Sequence, residues 1–177
     1  NEDGINEHRK KMFFDKASGS FRAGRVTNKN WDEDSLGNNS FASGSNTKAN
    51  GLASTAMGFN SKAVSGYSTA LGNTTLASGV SSTAIGSYSI ASGNNSIAMG
   101  TYVESILANS IALGKYNDPS LNYIFTLGNG TSSLNRKNAI QIYTSSNAYF
   151  GGDVSPITTN NDNLGNTNFR WNTVYAT

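Results

Sequence analysis

V-S-S-T-A-I-G-S-Y-S-I-A-S-G-N-N-S-I-A-M-G, Val80–Gly100, is three successive copies of one seven-residue pattern, x-x-[Ser/Thr]-x-Ala-x-Gly. Followed outward, the pattern runs from Asn38 to Gly114, eleven units without insertion or deletion. Ser or Thr holds the third place in ten units, Ala the fifth in ten and Gly the seventh in nine. A period this regular decides the architecture before any single motif is weighed.

A repeat of seven first suggests a coiled coil, and the residue types reject it. Coiled-coil heptads need large apolar side chains at two seam positions, whereas the regular positions here are small. Glycine in every second helical turn would cost about 1 kcal/mol each time relative to alanine. Small residues at places 3, 5 and 7 follow the two-residue period of a strand, and Gly and polar residues at places 7, 1 and 2 supply a bend. Each unit is one short strand plus one bend.

The sixth place doubles the period. Met57, Leu71, Ile85, Met99 and Leu113 alternate there with Asn50, Val64, Ser78, Ser92 and Ile106. Two strands therefore make one 14-residue coil, and coils stack into a solenoid in which each strand bonds its counterpart one coil on. With only Ala, Ser/Thr and Gly expected to face inward, the coil is very narrow and the large sixth-place residues point outward. Thr55, Thr69, Thr83, Ile97 and Ile111 flank them at the fourth place. Burying five such aliphatic side chains is worth about 7–15 kcal/mol, at about 1.5–3 kcal/mol each. That rivals the stability of an ordinary domain, so the expectation is an oligomer closed around this column.

Segments such as N-N-S-I-A-M-G (Asn94–Gly100) and N-S-I-A-L-G (Asn109–Gly114), spaced by x-x-S-x-A-x-G, resemble the head repeats of trimeric autotransporter adhesins, the YadA-like head. The resemblance spans Asn38–Gly114. It implies a left-handed parallel β-roll, three chains side by side around one axis, and a role in surface attachment. The implied trimer interface is Met57, Leu71, Ile85, Met99 and Leu113 with Ile97 and Ile111. One unit departs: T-Y-V-E-S-I-L, Thr101–Leu107, puts Val103 and Leu107 where Ser/Thr and Gly are usual. A local bulge is expected there.

The flanks differ in composition. Residues 1–37 carry seven Lys/Arg and seven Asp/Glu, residues 38–114 only Lys48, Lys62 and Glu104, and residues 115–177 four basic against three acidic. The net charge of +2 is therefore not a patch, and without a clustered basic footprint a nucleic-acid partner is discounted. Hydrophobic content of 36% with 19 glycines is thin for a globular core and normal for a slender solenoid. No cysteine is present, which removes disulfide frameworks and thiol chemistry. No run approaches the ~18 apolar residues of a membrane span, and no signal peptide precedes the abrupt start at Asn1. The chain thus reads as a piece of a longer protein, with no membrane insertion in this segment.

Residues 1–37 read as a hairpin and cap: strands over Lys10–Asp15 and Ser20–Val26, a loop at Lys16–Gly19, and Trp31 closing the open end of the roll. The phrase F-F-D-K-A-S-G-S-F-R-A-G, followed by W-D, is similar to lead-ins of viral tail fibres. Beyond Gly114 the period fails. Asn117-Asp118-Pro119 marks a turn, Tyr123–Leu127, Ala139–Tyr143 and Ala148–Phe150 read as strands, and Asn129-Gly130 as a tight turn. F-T-L-G-N-G-T-S, with R-K-N-A-I after it, resembles the segment C-terminal to β-roll heads in the same families. Ser155–Asn163 reads as a loop. L-G-N-T-N-F-R-W-N-T-V-Y-A-T (Leu164–Thr177) resembles the piece that precedes a self-cleaving C-terminal chaperone in phage tail fibres and tailspikes; the chaperone is not in this sequence, and no peptidase activity is assigned.

Chemistry-bearing constellations are scarce. His8 is the only histidine, so neither a His-dependent triad nor a multi-His metal site exists within one chain. Three copies of His8 around an axis would make a metal site, but a solvated His in a charged stretch is the commoner case. Asn30, Asp32 and Asp34 alternate like a calcium loop without the EF-hand's glycine and terminal acid, and read as an exposed turn. The repeat offers only Glu104 where glycoside cleavage needs two facing carboxyls. No catalytic, metal or cofactor site is assigned.

Tyr88, Tyr102 and Tyr116, fourteen apart, should form one column at a bend, with Asn95 and Asn109 in a column on the opposite bend. The tyrosines are the candidate ligand-binding surface, since aromatic side chains give contact area at low entropic cost; simple stacking that shields the coil edge is the commoner outcome. The expected protein is all-β and non-enzymatic: a homotrimeric, extracellular segment of a phage-type tail fibre that meets a glycan or protein receptor on a host cell. A bacterial autotransporter adhesin is the alternative. An ice- or crystal-binding solenoid is a third reading, weakened because the outward Thr55, Thr69 and Thr83 give way to Ile97 and Ile111.

Overall fold

The computed structural model describes residues 10–120 and 122–152 of the 177-residue chain. They form an all-β, parallel solenoid of about six 14-residue coils. Each coil has a five-residue and a two-residue strand. The long set is β3 (Phe41–Ser45), β5 (Thr55–Phe59), β7 (Thr69–Asn73), β9 (Thr83–Ser87), β11 (Ile97–Thr101) and β13 (Ile111–Lys115). The short set is β4 (Lys48–Ala49), β6 (Lys62–Ala63), β8 (Leu76–Ala77), β10 (Ile90–Ala91) and β12 (Glu104–Ser105). Every long strand pairs in parallel with the next, in registers such as Met57↔Leu71 and Ile85↔Met99, and the short strands do likewise.

The interior is as narrow as the residue types demand. Ala42, Ala49, Ala56, Ala63, Ala70, Ala77, Ala84, Ala91 and Ala98 are fully buried, and so is the hydroxyl column between them. Those hydroxyls are serine rather than alanine because the bends leave carbonyls that need donors. Ser54, Ser68 and Ser82 Oγ donate to the carbonyls of Gly51, Ser65 and Gly79, three residues back. Ser61 and Ser89 Oγ instead donate to Gly72 and Gly100 O in the next long strand, β7 and β11 respectively.

The seventh-place glycines are not all interior. Those of the long strands are half-buried or, at Gly58, exposed. Their φ values lie between +94° and +139° (Gly44, Gly58, Gly72, Gly86, Gly100, Gly114), and a Cβ on any of them would strike the next coil's glycine carbonyl. The alternate column keeps ordinary φ. Both departures from glycine, Ser65 and Leu107, fall there.

No bulge interrupts the Thr101–Leu107 unit. Ile90↔Glu104 and Ala91↔Ser105 pair in unbroken register. Val103 is fully buried in the column that also holds Thr47 and Thr75, and valine has nearly the shape of threonine. Leu107 stays half-buried at the bend rather than entering the tube.

The roll is also longer than the sequence period. At its start, β1 (Lys10–Asp15) and β2 (Ser20–Arg25) form the expected antiparallel hairpin, and β2 then pairs in parallel with β3. Asp15 takes the backbone N–H of Ser18 at 2.8 Å and a hydrogen bond from its hydroxyl, which holds its carboxyl below the usual value. Arg22 stands opposite Ala42 and is fully buried. Its guanidinium donates to Ser40 O and Oγ and to Ala49 O, and desolvation lowers its pKa to about 10, so it stays charged at neutral pH. At the far end, β14 (Tyr123–Asn129) continues the parallel ladder beyond Gly114 through Ala112↔Thr126 and Leu113↔Leu127. Asn117, fully buried, fills the hydroxyl column and bonds both the N–H and the carbonyl of Glu104. Antiparallel β15 (Asn138–Tyr143) and β16 (Ala148–Phe150) cover the last edge.

Trp31 is the N-terminal lid. It is 2% exposed, and its Nε1 donates to Thr47 O at 2.9 Å. Trp31→Phe orphans that buried carbonyl, which costs about 1–2 kcal/mol. The expected result is a lower urea midpoint at unchanged slope, with the first coil losing amide-exchange protection before the others, because solenoid coils contact only their neighbours.

Candidate functional site

Two surfaces stand out. The first is the outer face of the long strands. Parallel pairing sets Met57, Leu71, Ile85, Met99 and Leu113 side by side in register, with Ile97 and Ile111 in the adjoining row. Leu127 and Phe125, which the seven-residue period did not reach, prolong both rows. In the single chain Met57, Met99 and Ile111 are exposed, and Leu71, Ile85, Ile97 and Leu113 half-buried. A contiguous apolar stripe of this kind is the candidate interaction face.

The second surface runs along the bend that follows each long strand. All second-place residues in the roll are left-handed, with φ of 43–61°. Asparagine holds five of these twelve positions, since its short polar side chain tolerates that region best. One bend column runs Asn46, Asn60, Thr74, Tyr88, Tyr102, Tyr116. The three tyrosine rings stack, with centroids 4.6 Å and 4.8 Å apart and planes within 9°. On the opposite bend Asn95 Nδ2 donates to Asn109 Oδ1 at 3.1 Å, so both expected columns form.

Stacking is not the whole of the tyrosine column. A groove of about 480 Å³ lies beside it, within the usual range of about 300–1,000 Å³ for ligand sites. Asn46, Asn60 and Thr74 line one end, Tyr88 and Tyr102 the middle, and Glu104 with Arg136 the other end. Lys62, Leu76 and Ile90 of the short strands, with Asn28, Asn30 and Thr75, complete its wall. Arg136 Nη2 contacts Glu104 Oε1 at 2.5 Å, and its Nη1 donates to Tyr102 O and Asn117 O. This clamp ties the segment after β14 back onto the roll. Tyr116 stacks on Tyr102 but does not line the groove. The groove residues Asn46, Asn60 and Thr74 were readable as the same 14-residue column carried backward from Tyr88; Arg136, outside the period, carried no signal.

Among the described residues no cluster of His, Asp or Glu could hold a metal ion, the Asn30–Asp34 turn included. His8 and Leu164–Thr177 lie outside the described residues. Besides Asp15 and Arg22, the pKa that moves is that of Tyr123, pushed up to about 12 by its hydrogen bond with Tyr143. None of these three groups is brought near neutrality, where a general acid or base works best. No helix among the described residues is long and apolar enough to cross a membrane.

The family profile of the YadA head domain repeat matches residues 35–61, 49–75 and 77–102. Residues 35–102 carry YadA head repeats. The matched stretch contains the core of the apolar stripe, Met57 to Met99, and the groove column from Asn46 to Tyr102. No curated protein matches the chain. The match covers the roll from β3 to β11, while β12 to β16 and Arg136 lie beyond it.

Proposed function

We propose that this chain is a non-enzymatic segment of a homotrimeric attachment fibre, its three rolls closed around Met57, Leu71, Ile85, Met99 and Leu113 with Ile97 and Ile111. The observation that carries this reading is the in-register aliphatic stripe on a tube with no interior room for it. YadA head repeats belong to trimeric, surface-exposed adhesins, and the left-handed winding expected of that family accompanies the proposal. The setting is a phage-type tail fibre that meets a receptor on a host cell, favoured by the resemblance of Phe13–Gly24 and Leu164–Thr177 to tail-fibre segments. A bacterial surface adhesin is the second reading, favoured by the head repeats themselves.

Light scattering on the purified chain tests the assembly. The expected mass is three times 18.7 kDa, about 56 kDa; a particle of single-chain mass at micromolar concentration overturns it.

A further inference from the structure

Tyr88 ends a stack that the fold would allow to continue. Its neighbour one coil back in the same bend column is Thr74, with the same left-handed backbone: φ 57° at Thr74 and 56° at Tyr88. Tyr102 is covered on both faces, by Tyr88 and Tyr116. Tyr88 is covered on one, and it is 41% exposed where Tyr102 and Tyr116 are half-buried. The vacant rung opens into the groove, whose lining one coil further back holds Asn60 and Lys62.

Stability alone does not explain the tyrosines. A left-handed backbone is unfavourable for a bulky residue, and stacking supports only the two ring pairs that form. Asparagine, used at five other second places, fits the bend better.

We propose that the rung over Thr74 is a saccharide subsite, in which one pyranose ring lies on the open face of Tyr88 and its hydroxyls meet Asn60 and Lys62. The ring's C–H face is weakly positive and suits the negative face of the phenol. Its equatorial hydroxyls supply both donors and acceptors for amides and an ammonium. An aromatic side chain from a protein partner would stack equally well, but would leave those polar groups without partners, which is costly in a closed contact. Lys62, Leu76 and Ile90 belong to the short-strand sheet, not to the long-strand sheet that carries the aliphatic stripe. The assignment deepens the attachment reading by naming a ligand class; the site itself lies within one chain, so it is tested separately from assembly.

The test is saturation-transfer NMR on the whole chain with methyl β-glucoside, methyl β-galactoside and N-acetylglucosamine at 50–100 mM (about the range weak single-ring binding needs), with N-acetyltyrosinamide alongside. Transfer from the protein to at least one pyranoside, with a ring-current shift of that sugar's C–H protons, is expected. Tyr88→Thr removes the platform, and Thr74→Tyr fills the empty rung while keeping every existing side chain of the stack. Both substitutions place in the bend residue types the column already accepts, and both should reduce transfer at least fivefold with circular dichroism unchanged. No transfer to any of the three sugars, equal transfer in either variant, or transfer to N-acetyltyrosinamide alone overturns the assignment. Light scattering on the same samples reports assembly independently, so a failed subsite and a failed trimer give different results.

Discussion

Ile85→Glu is expected to convert the assembled segment into folded monomers. Ile85 is the middle of the aliphatic row, paired with Leu71 on one side and Met99 on the other. Within one chain it is already half-buried, so association hides only its remaining surface, roughly 1 kcal/mol per copy at about 25 cal/mol per Å². The larger effect is electrostatic. Three-fold closure would bring three carboxylates to one axis in a dry contact, and desolvating each costs several kcal/mol with no cation present to offset it. A total loss of at least about 5–6 kcal/mol raises the dissociation constant by about 10⁴-fold or more. Sedimentation at micromolar concentration should show single chains, with circular dichroism unchanged because the coil's own core of Ala84, Ala98 and Ser82 is untouched. Crowded carboxylates hold their protons more tightly, so association should partly return as pH falls below about 5. A variant that stays trimeric at neutral pH would place the contact on another face.

How much of this was legible in the sequence depends on which forces are local. Strand, bend and 14-residue coil repeat the same local geometry each time, so Ala at the fifth place and the large residue at the sixth declared the inward and outward faces without ambiguity. The hairpin Lys10–Arg25, the Trp31 lid and strands β14–β16 were readable from turn residues and alternation. Three features were not. The fate of Val103 depended on shape rather than polarity, since a column of Ser and Thr accepts an isosteric valine. The continuation through β14 was hidden because Asn117 and Thr126 meet the same hydrogen-bonding and volume needs with different residues. The groove required knowing that one bend column steps from Thr74 to Tyr88, which matters only when coils are seen stacked. The inward reading of the glycines holds for Gly51, Gly79 and Gly93 but not for those of the long strands, because a backbone–backbone approach between coils has no counterpart in a one-dimensional period.

That last distinction yields the second large effect. Gly86→Val should abolish the cooperative fold of the roll. Gly86 has φ +114°, and a Cβ built on it would sit 2.0 Å from Gly100 O and 2.9 Å from its carbonyl carbon, both backbone atoms of the next coil. No rotamer relieves a clash made by Cβ itself, and a β-branched residue is the worst occupant of positive φ. The backbone conformation alone costs about 1–3 kcal/mol. Separating the coils to relieve the contact would break the hydrogen bonds of β9 to β11, which join the two halves of the solenoid. A combined loss above about 4 kcal/mol is expected, in the range only a few mechanisms reach. Because each coil is held chiefly by its neighbours, the two halves should then melt separately, seen as two transitions or a lowered denaturant slope. Gly66→Ala is the matched control: its φ is not positive, and an added Cβ would meet nothing nearer than Leu52 Cβ and O at 3.9 Å. It should shift the midpoint by less than about 1 kcal/mol, in the stabilising direction where the unfolded chain loses freedom. Equal damage from both substitutions would mean that the glycines serve the bend generally, and that the close approach of successive long strands does not set the pitch of the roll.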